Sequence, residues 1–422
     1  MIRRRMLAAM ATAVAIALPV SACGSGEEPA ANGPVTLSVS VWSLASTPEF
    51  QVLFDAFTKA NPDITIKPVD ILAADYPTKV TTMLASGDQT DVITMKNVIE
   101  YARYASRGQL LDITAAAKSD TAKKLGGLDA FKQEGDKYYA LPYRQDFWVL
   151  YYNKKLLEAA GQAFPTNLTW DQYVELAKKL TTGSGQSKVY GTYHHTWRSV
   201  TQAISAAQTG GDQLSGDYKF FADQYRAALA LQEAGATLDF GTAVTQKTGY
   251  ASMFETQKTA MMPMGTWFIA KVLSEKQKGT TNVDWAIAPM PQRPGSSKIT
   301  TFGSPTAFAV NKNAKHSAAA KKFVEFASGP EGAKALAAIG IVPAYSSDEI
   351  LKQYFALTGM PTDEMSKKAF TPDKVNLEMP VSDKTSKIDT ILNEEHQLIM
   401  AKQKSVEDGI KSMETRVKNE VS

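Results

Sequence analysis

Few side chains in this sequence are arranged in a way that suggests chemistry, and none form a known catalytic signature. Arg144 and Asp146 stand two apart, close enough to pair with each other, to bridge two parts of the fold, or to meet a polar ligand. Tyr193-His194-His195-Thr196-Trp197-Arg198 is the densest run of ring nitrogens, aromatic faces and charge. Adjacent histidines can suggest a metal site, but no HExxH or other carboxylate spacing accompanies them, so no metal is assigned. GxSxG, Walker A and GxGxxG are absent as well, so no nucleophile elbow, phosphate loop or dinucleotide fingerprint is available and no cofactor is expected. Cys23 is the single cysteine, which excludes an intramolecular disulfide framework and any Cys-rich metal site.

Composition narrows the class further. At 422 residues, 44% hydrophobic and 21% charged, the chain is ordinary globular material, long enough for two or three domains. Its formal charge of +3 resides in Arg3, Arg4 and Arg5; from residue 23 onward it holds 43 basic and 43 acidic side chains. A neutral body argues against a nucleic-acid partner and gives no long-range bias toward charged ligands. The three arginines precede an apolar stretch, Met6 to Val20, of about 15 residues, short for a spanning helix and suited to a secretory signal. Val20-Ser21-Ala22-Cys23 resembles the bacterial lipobox. Residues 1–22 are therefore expected to be a lipoprotein signal peptide and Cys23 the lipidated N-terminus of the mature chain. Residues 23–34, rich in Gly, Ala and Glu, form a flexible tether. The expected location is extracytoplasmic, with the protein held at the bacterial cell membrane by lipid alone.

The body alternates strand and helix signals. Thr36 to Trp42 has the period-2 pattern of a strand, and Phe50, Leu53, Phe54 and Phe57 make one apolar helix face after Pro48, with Ser46 or Thr47 as N-cap. A strand from Ile64 to Val69, a helix over 76–86 closed by Gly87, and a short strand from Asp91 to Met95 follow, so parallel crossovers and an α/β layer fold are predicted. Phe147 to Tyr152 reads as a buried strand, and Thr169 with Gln172 as a capping box. Further strands are expected around Met261-Met262, 285–290 and 306–310, with helices over 318–326, from Pro330 to near Gly340, and from Thr385 onward.

Several of these stretches, in order, resemble the family 1 extracellular solute-binding proteins of ABC importers, the maltose-binding-protein-like group. They are residues 57–66 (FTKANPDITI), Leu84 to Asp88 with Asp91-Val92-Ile93, Leu141-Pro142-Tyr143, Tyr151-Tyr152-Asn153-Lys154, and Leu168-Thr169-Trp170-Asp171. Lys258 to Met262, Gly265-Thr266-Trp267, 285–291 (WAIAPMP), Ser304 to Val310 and Ala318 to Gly332 complete the set. The resemblance spans roughly residues 36–345. It implies an α/β, two-lobed periplasmic-binding-protein-like fold of type II, with lobe 1 from 35–145 and 287–328 and lobe 2 from 146–286 and 329–422. The lobes would be joined by a hinge crossed more than once and would close on a ligand between them. It also implies a carbohydrate ligand, an ABC permease as partner, and a monomer.

A sugar site needs aromatic faces for pyranose rings and carboxylates, amides and Arg for hydroxyls, and such stacking contributes about 0.5–1.5 kcal/mol per ring by analogy with aromatic pairs. The expected contacts are Trp42 and Ser43 at the end of the first strand, Asp91 and Asn97 around the third, and Arg144 and Asp146 at the first crossing. Trp197, Trp267, the close-approach pair Gly303-Ser304, and Tyr345 complete them. Trp42 can equally be core, Asp91 a structural cap, and Ser46 is expected to cap rather than bind. The alternatives are the same fold holding a polyamine, a phosphate ester or another small polar solute, and a hydrolase using paired carboxylates, which sequence spacing alone does not decide. Replacing Cys23 by Ala is expected to release the protein from the membrane fraction; unchanged anchoring on fractionation contradicts the lipobox reading.

Overall fold

The structure is a computed structural model and describes residues 33–421; the signal segment and Cys23 lie outside the described residues. Its strands are β1 Val35–Trp42, β2 Ile64–Ile71, β3 Val92–Met95, β4 Lys132–Gln133, β5 Lys137–Tyr138, β6 Ala140–Asn153, β7 Tyr190–Thr192, β8 Thr259–Gly265, β9 Trp285–Ala288, β10 Thr300–Val310 and β11 Lys374–Leu377. β4 and β5 form a separate small hairpin, and the rest share one sheet path ordered β2-β1-β3-β10-β6-β8-β7, with β11 on β10 and β9 on β6. The predicted parallel crossovers are present: β1 pairs in parallel with β2 and with β3.

Local sequence explains the framework. In the helix Pro48–Ala60, Phe50, Leu53, Phe54 and Phe57 are all buried, as their spacing requires. The helix Trp170–Leu180 carries the expected capping box: Thr169 Oγ1 accepts from Gln172 N–H at 3.2 Å, and Gln172 Oε1 accepts from Thr169 N–H at 2.8 Å. Gly87 follows the helix Tyr76–Ala85 at φ +75°, a left-handed closing position that glycine occupies without strain. The cap before Pro48 departs from expectation. The Thr47 side chain makes no capping bond; its hydroxyl donates to the carbonyls of Trp42 and Ser43, and Ser46 Oγ donates to Ser43 O.

Burial divides the side chains into two main cores. One collects β1, the helix Pro48–Ala60, β3, the first half of β6, the second half of β10 and the helix Ser317–Ser328. The other collects the second half of β6, β8, β9, Phe302 and the helices Trp170–Leu180 and Phe268–Gln277. A smaller cluster joins the helices Ala222–Glu233, Thr385–Met400 and Val406–Glu420. β6 and β10 run antiparallel from one main core into the other. β6 exchanges β10 as its partner up to Phe147 for β8 from Trp148 onward. A third crossing lies beside them, where Gln145 N–H donates to Val342 O and Ala344 N–H to Tyr143 O.

Packing departs from the expected boundaries at two places. β9 pairs with β6 at Leu150–Asn153, well past the crossing, so Trp285–Ala288, Met290 and Phe302 pack with the second core, and the chain rejoins the first from Ala307. The helix Pro330–Ala337 faces both sides, Leu336 packing with the first core and Ala333 and Ala337 with the second.

A cleft between a polar wall and an aromatic wall

A cleft of about 780 Å³ opens where the two cores meet, within the range of roughly 300–1,000 Å³ common for small-molecule sites. One wall is built from the carboxyl ends of β1 and β3, where an open parallel sheet leaves a crevice. β1 delivers Trp42 and Ser43; the helix that follows presents Glu49 in its first turn, and β3 ends into Lys96 and Asn97. Ser43 adopts a left-handed backbone (φ 44°), unusual for a residue other than glycine, and its Oγ accepts from Ala73 N–H at 3.0 Å, tying the loops after β1 and β2 together.

The floor is the crossing itself. Arg144 Nη1 donates to Glu49 Oε1 at 2.7 Å, while its Nε reaches Asp146 Oδ2 at 3.1 Å and Thr306 Oγ1 at 3.2 Å. Asp146 Oδ1 accepts from Thr266 Oγ1 at 3.1 Å, so this one network links β6, β10, the helix Pro48–Ala60 and the end of β8. Burial pushes both carboxyls up, Glu49 and Asp146 alike, and Arg144 partly offsets it. Burial opposes the charged guanidinium in turn, but Asp146, Tyr143 and Glu49 outweigh it and hold Arg144 above its ordinary value.

The opposite wall is aromatic. Trp148, Trp197, Trp267 and Tyr250 line it, with Trp148 edge-on to Trp267 at 5.7 Å and to Trp197 at 6.4 Å, and Trp197 against Tyr250 at 5.8 Å. Trp197 is 40% exposed, a large apolar surface at the cleft, whereas Trp42 is 6% exposed, packed edge-on with Phe50 and Tyr76 and covered on its ring by Lys96 and Arg144. A Cβ on Gly265 would fall 1.9 Å from the ring of Trp267; the missing side chain is what lets that ring fold back across the end of β8. Arg198, Ser199, Glu378 and Asp389 close one end. Arg198 pairs with Asp389, and Ser199 Oγ donates to Glu378, whose carboxyl burial pushes up.

Eight of the eleven residues expected from the sequence thus line one cleft: Trp42, Ser43, Asn97, Arg144, Asp146, Trp197, Trp267 and Ser304, and Ser46 joins them. Three do not. Asp91 accepts from Ser38 N–H, Ser38 Oγ and His316 N–H at 2.7–2.9 Å, which ties β1 to β3 and to the start of the helix Ser317–Ser328. Burial alone would raise its carboxyl, but those hydrogen bonds outweigh it and hold it below the usual value. Gly303 serves strand contact: a Cβ there would lie 2.0 Å from the Asp146 carbonyl oxygen. Tyr345 packs against both cores, with Lys124 Nζ 5.7 Å above its ring.

His194 Nε2 bonds the Tyr173 hydroxyl at 2.9 Å, and His195 lies 4.5 Å from Trp197; burial lowers both imidazoles to about 4, so they are neutral packing groups near pH 7. Glu49, Lys96, Trp148 and Tyr250 were not anticipated as lining residues. The one local signal was adjacency: Lys96 precedes Asn97, and Trp148 follows Asp146 by two.

Two α/β lobes, a hinge of crossing strands and a cleft with walls from both sides define the class of two-lobed solute-binding proteins, a transport fold rather than an enzyme family. The profile of the bacterial extracellular solute-binding proteins matches residues 42–334, and the chain belongs to that family. It is similar to the crystal structure of a sugar transporter from Rhizobium etli in an open conformation, with 35% identity, a TM-score of 0.77, and coverage of 91% of this chain and 99% of that one. The fold also matches an ABC substrate-binding protein of Listeria monocytogenes in complex with cycloalternan, at 24% identity and a TM-score of 0.77, over 91% and 98% of the two chains. A putative ABC transporter periplasmic-binding protein of Escherichia coli, YcjN, is 27% identical over 293 residues, which are 65% of this chain; the chain spans 64% of that relative's length.

Two outcomes follow from the cleft. Gly265→Ala should displace Trp267, shifting tryptophan emission and weakening ligand binding by about tenfold or more, equivalent to about 1.4 kcal/mol; unchanged emission and affinity contradict the role given to Gly265. Arg144→Leu leaves Glu49 and Asp146 buried without their cation, at an expected loss of about 3–5 kcal/mol near pH 7. The penalty attaches to the ionised carboxylates, whose folded pKa values are raised. It is therefore small while both carboxyls are protonated and grows as pH rises past their folded pKa values, which lie above the ordinary 3.8 of Asp146 and 4.5 of Glu49. Denaturant unfolding of both proteins across pH 4–8 reads this; a gap independent of pH contradicts it.

Proposed function

We propose that the protein is an extracytoplasmic, lipid-anchored binding component of an ABC importer that captures a carbohydrate between its lobes and presents it to the permease. The observation that carries the reading is the pairing of walls. Trp197 and Trp267 offer flat faces suited to the apolar side of a sugar ring, while Ser43 and Asn97 on the other wall and Arg144, Asp146 and Ser304 at the crossing are partners for hydroxyls. A ligand touching both walls favours the closed arrangement by its differential contacts, and affinity is reduced by the population of the binding-competent state. The similarity to a sugar transporter supports the same ligand class.

Five indole and phenol rings line the cleft and make intrinsic fluorescence the direct reporter. Titration with a panel of mono- and oligosaccharides is expected to give a saturable change with at least one of them. No response to any sugar, together with a response to a polyamine or phosphate ester, contradicts the carbohydrate assignment.

A further inference from the structure

The cations lining the cleft are paired with one exception. Arg144 is held by Glu49 and Asp146, Arg198 by Asp389, and Lys271 and Lys278 by Glu275. Lys96 lines the same cleft without an ion-pair partner among the described residues. Its ammonium donates to the Ala73 carbonyl at 2.8 Å and sits 5.5 Å above the Trp42 ring, so two of its three donors are free of protein acceptors. The charge that acts on it is another cation: burial first, and Arg144 second, lower its pKa to about 8. Glu49 and Asp146 outnumber Arg144, but both carboxyls are turned to that guanidinium and raised by burial. Glu378, the remaining carboxylate of the cleft, is engaged by Ser199 and faces Arg198.

A half-buried ammonium without a counter-ion is unfavourable in a binding site unless a ligand supplies one. A second unfilled group lies on the same side. Ser304 Oγ is buried and has no hydrogen-bond partner. It is two residues along β10 from Thr306, on the same strand face, and Thr306 Oγ1 donates to the Lys96 carbonyl at 3.3 Å.

We propose that the carbohydrate bound here carries a carboxylate, as a uronic acid or a uronate-containing oligosaccharide, with Lys96 Nζ as its counter-ion and the Ser304 hydroxyl as a second donor. Lys96 is the one cleft cation with no carboxylate in contact among the described residues, and a single ammonium with two open donors suits one carboxylate. A phosphate dianion would need a second cation, and Arg144 is already engaged by two carboxyls. The inference rests on the carbohydrate reading and narrows it.

Calorimetric titration of the purified protein with matched pairs tests it: galacturonate against galactose, glucuronate against glucose, and the corresponding disaccharides. The acidic member is expected to bind at least about tenfold more tightly, and Lys96→Met, verified as folded by circular dichroism and melting, to reduce that preference to within roughly threefold. Neutral sugars binding as tightly as acidic ones, or a preference that survives Lys96→Met, overturns the acidic ligand and leaves the carbohydrate reading standing. Binding of acetate or inorganic phosphate with no sugar bound overturns both readings, and no binding by any member of either set overturns the acidic ligand.

Discussion

The buried guanidinium of Arg144 is the constraint around which the cleft is organised. It lies on the central of three crossing segments, flanked by β10 on one side and by residues 342–344 on the other. Glu49, Asp146 and Thr306 satisfy it, and Thr266 extends the same network into the second lobe. Removing two carboxylates and a guanidinium from water is unfavourable unless every group finds its partner, so the network tolerates little change of geometry. It therefore fixes the start of the helix Pro48–Ala60, the end of β8 and the middle of β10 relative to one another, and these elements carry lining residues.

Either side of that fixed point the lobes are chemically unlike. The first contributes hydroxyls, an amide, charged groups and the Trp42 indole at the ends of parallel strands; the second contributes three indoles and a phenol, with Arg198, Ser199, Glu378 and Asp389 at one end. A ring with one apolar face and a polar periphery is complementary to both at once, and neither wall alone would hold it well. Gly265 and Gly303 act on this arrangement through what they lack: one admits the Trp267 ring, the other lets β10 approach the backbone of Asp146.

Much of the fold was legible in the sequence because periodicity reports burial directly. The apolar face of Phe50, Leu53, Phe54 and Phe57 and the capping box at Thr169 and Gln172 appear where their spacing put them. The full length of β6 was not legible. Arg144-Gln145-Asp146 interrupts its hydrophobic pattern, and only the register with β10 shows that the strand runs through them. The same limit displaced the boundary near residue 287, since β9 is assigned to its core by long-range pairing with β6. At the site, tryptophans and the paired charges of Arg144 and Asp146 were visible as residue types. Glu49 and Lys96 were not, because a single charge at a helix start or strand end has the same local signature whether it faces solvent or a cleft. Asp91 shows the converse, a carboxylate at a strand end that ties the sheet to a helix instead of reaching the ligand.

A crystal structure of the protein with the proposed carbohydrate bound would test the two-walled cleft most directly. The ring is predicted to lie against Trp197 or Trp267 while its polar groups reach Lys96, Asn97 and the Arg144–Asp146 floor, with the lobes closed over it. A ligand held by one lobe alone, or bound away from this cleft, would contradict the two-walled site.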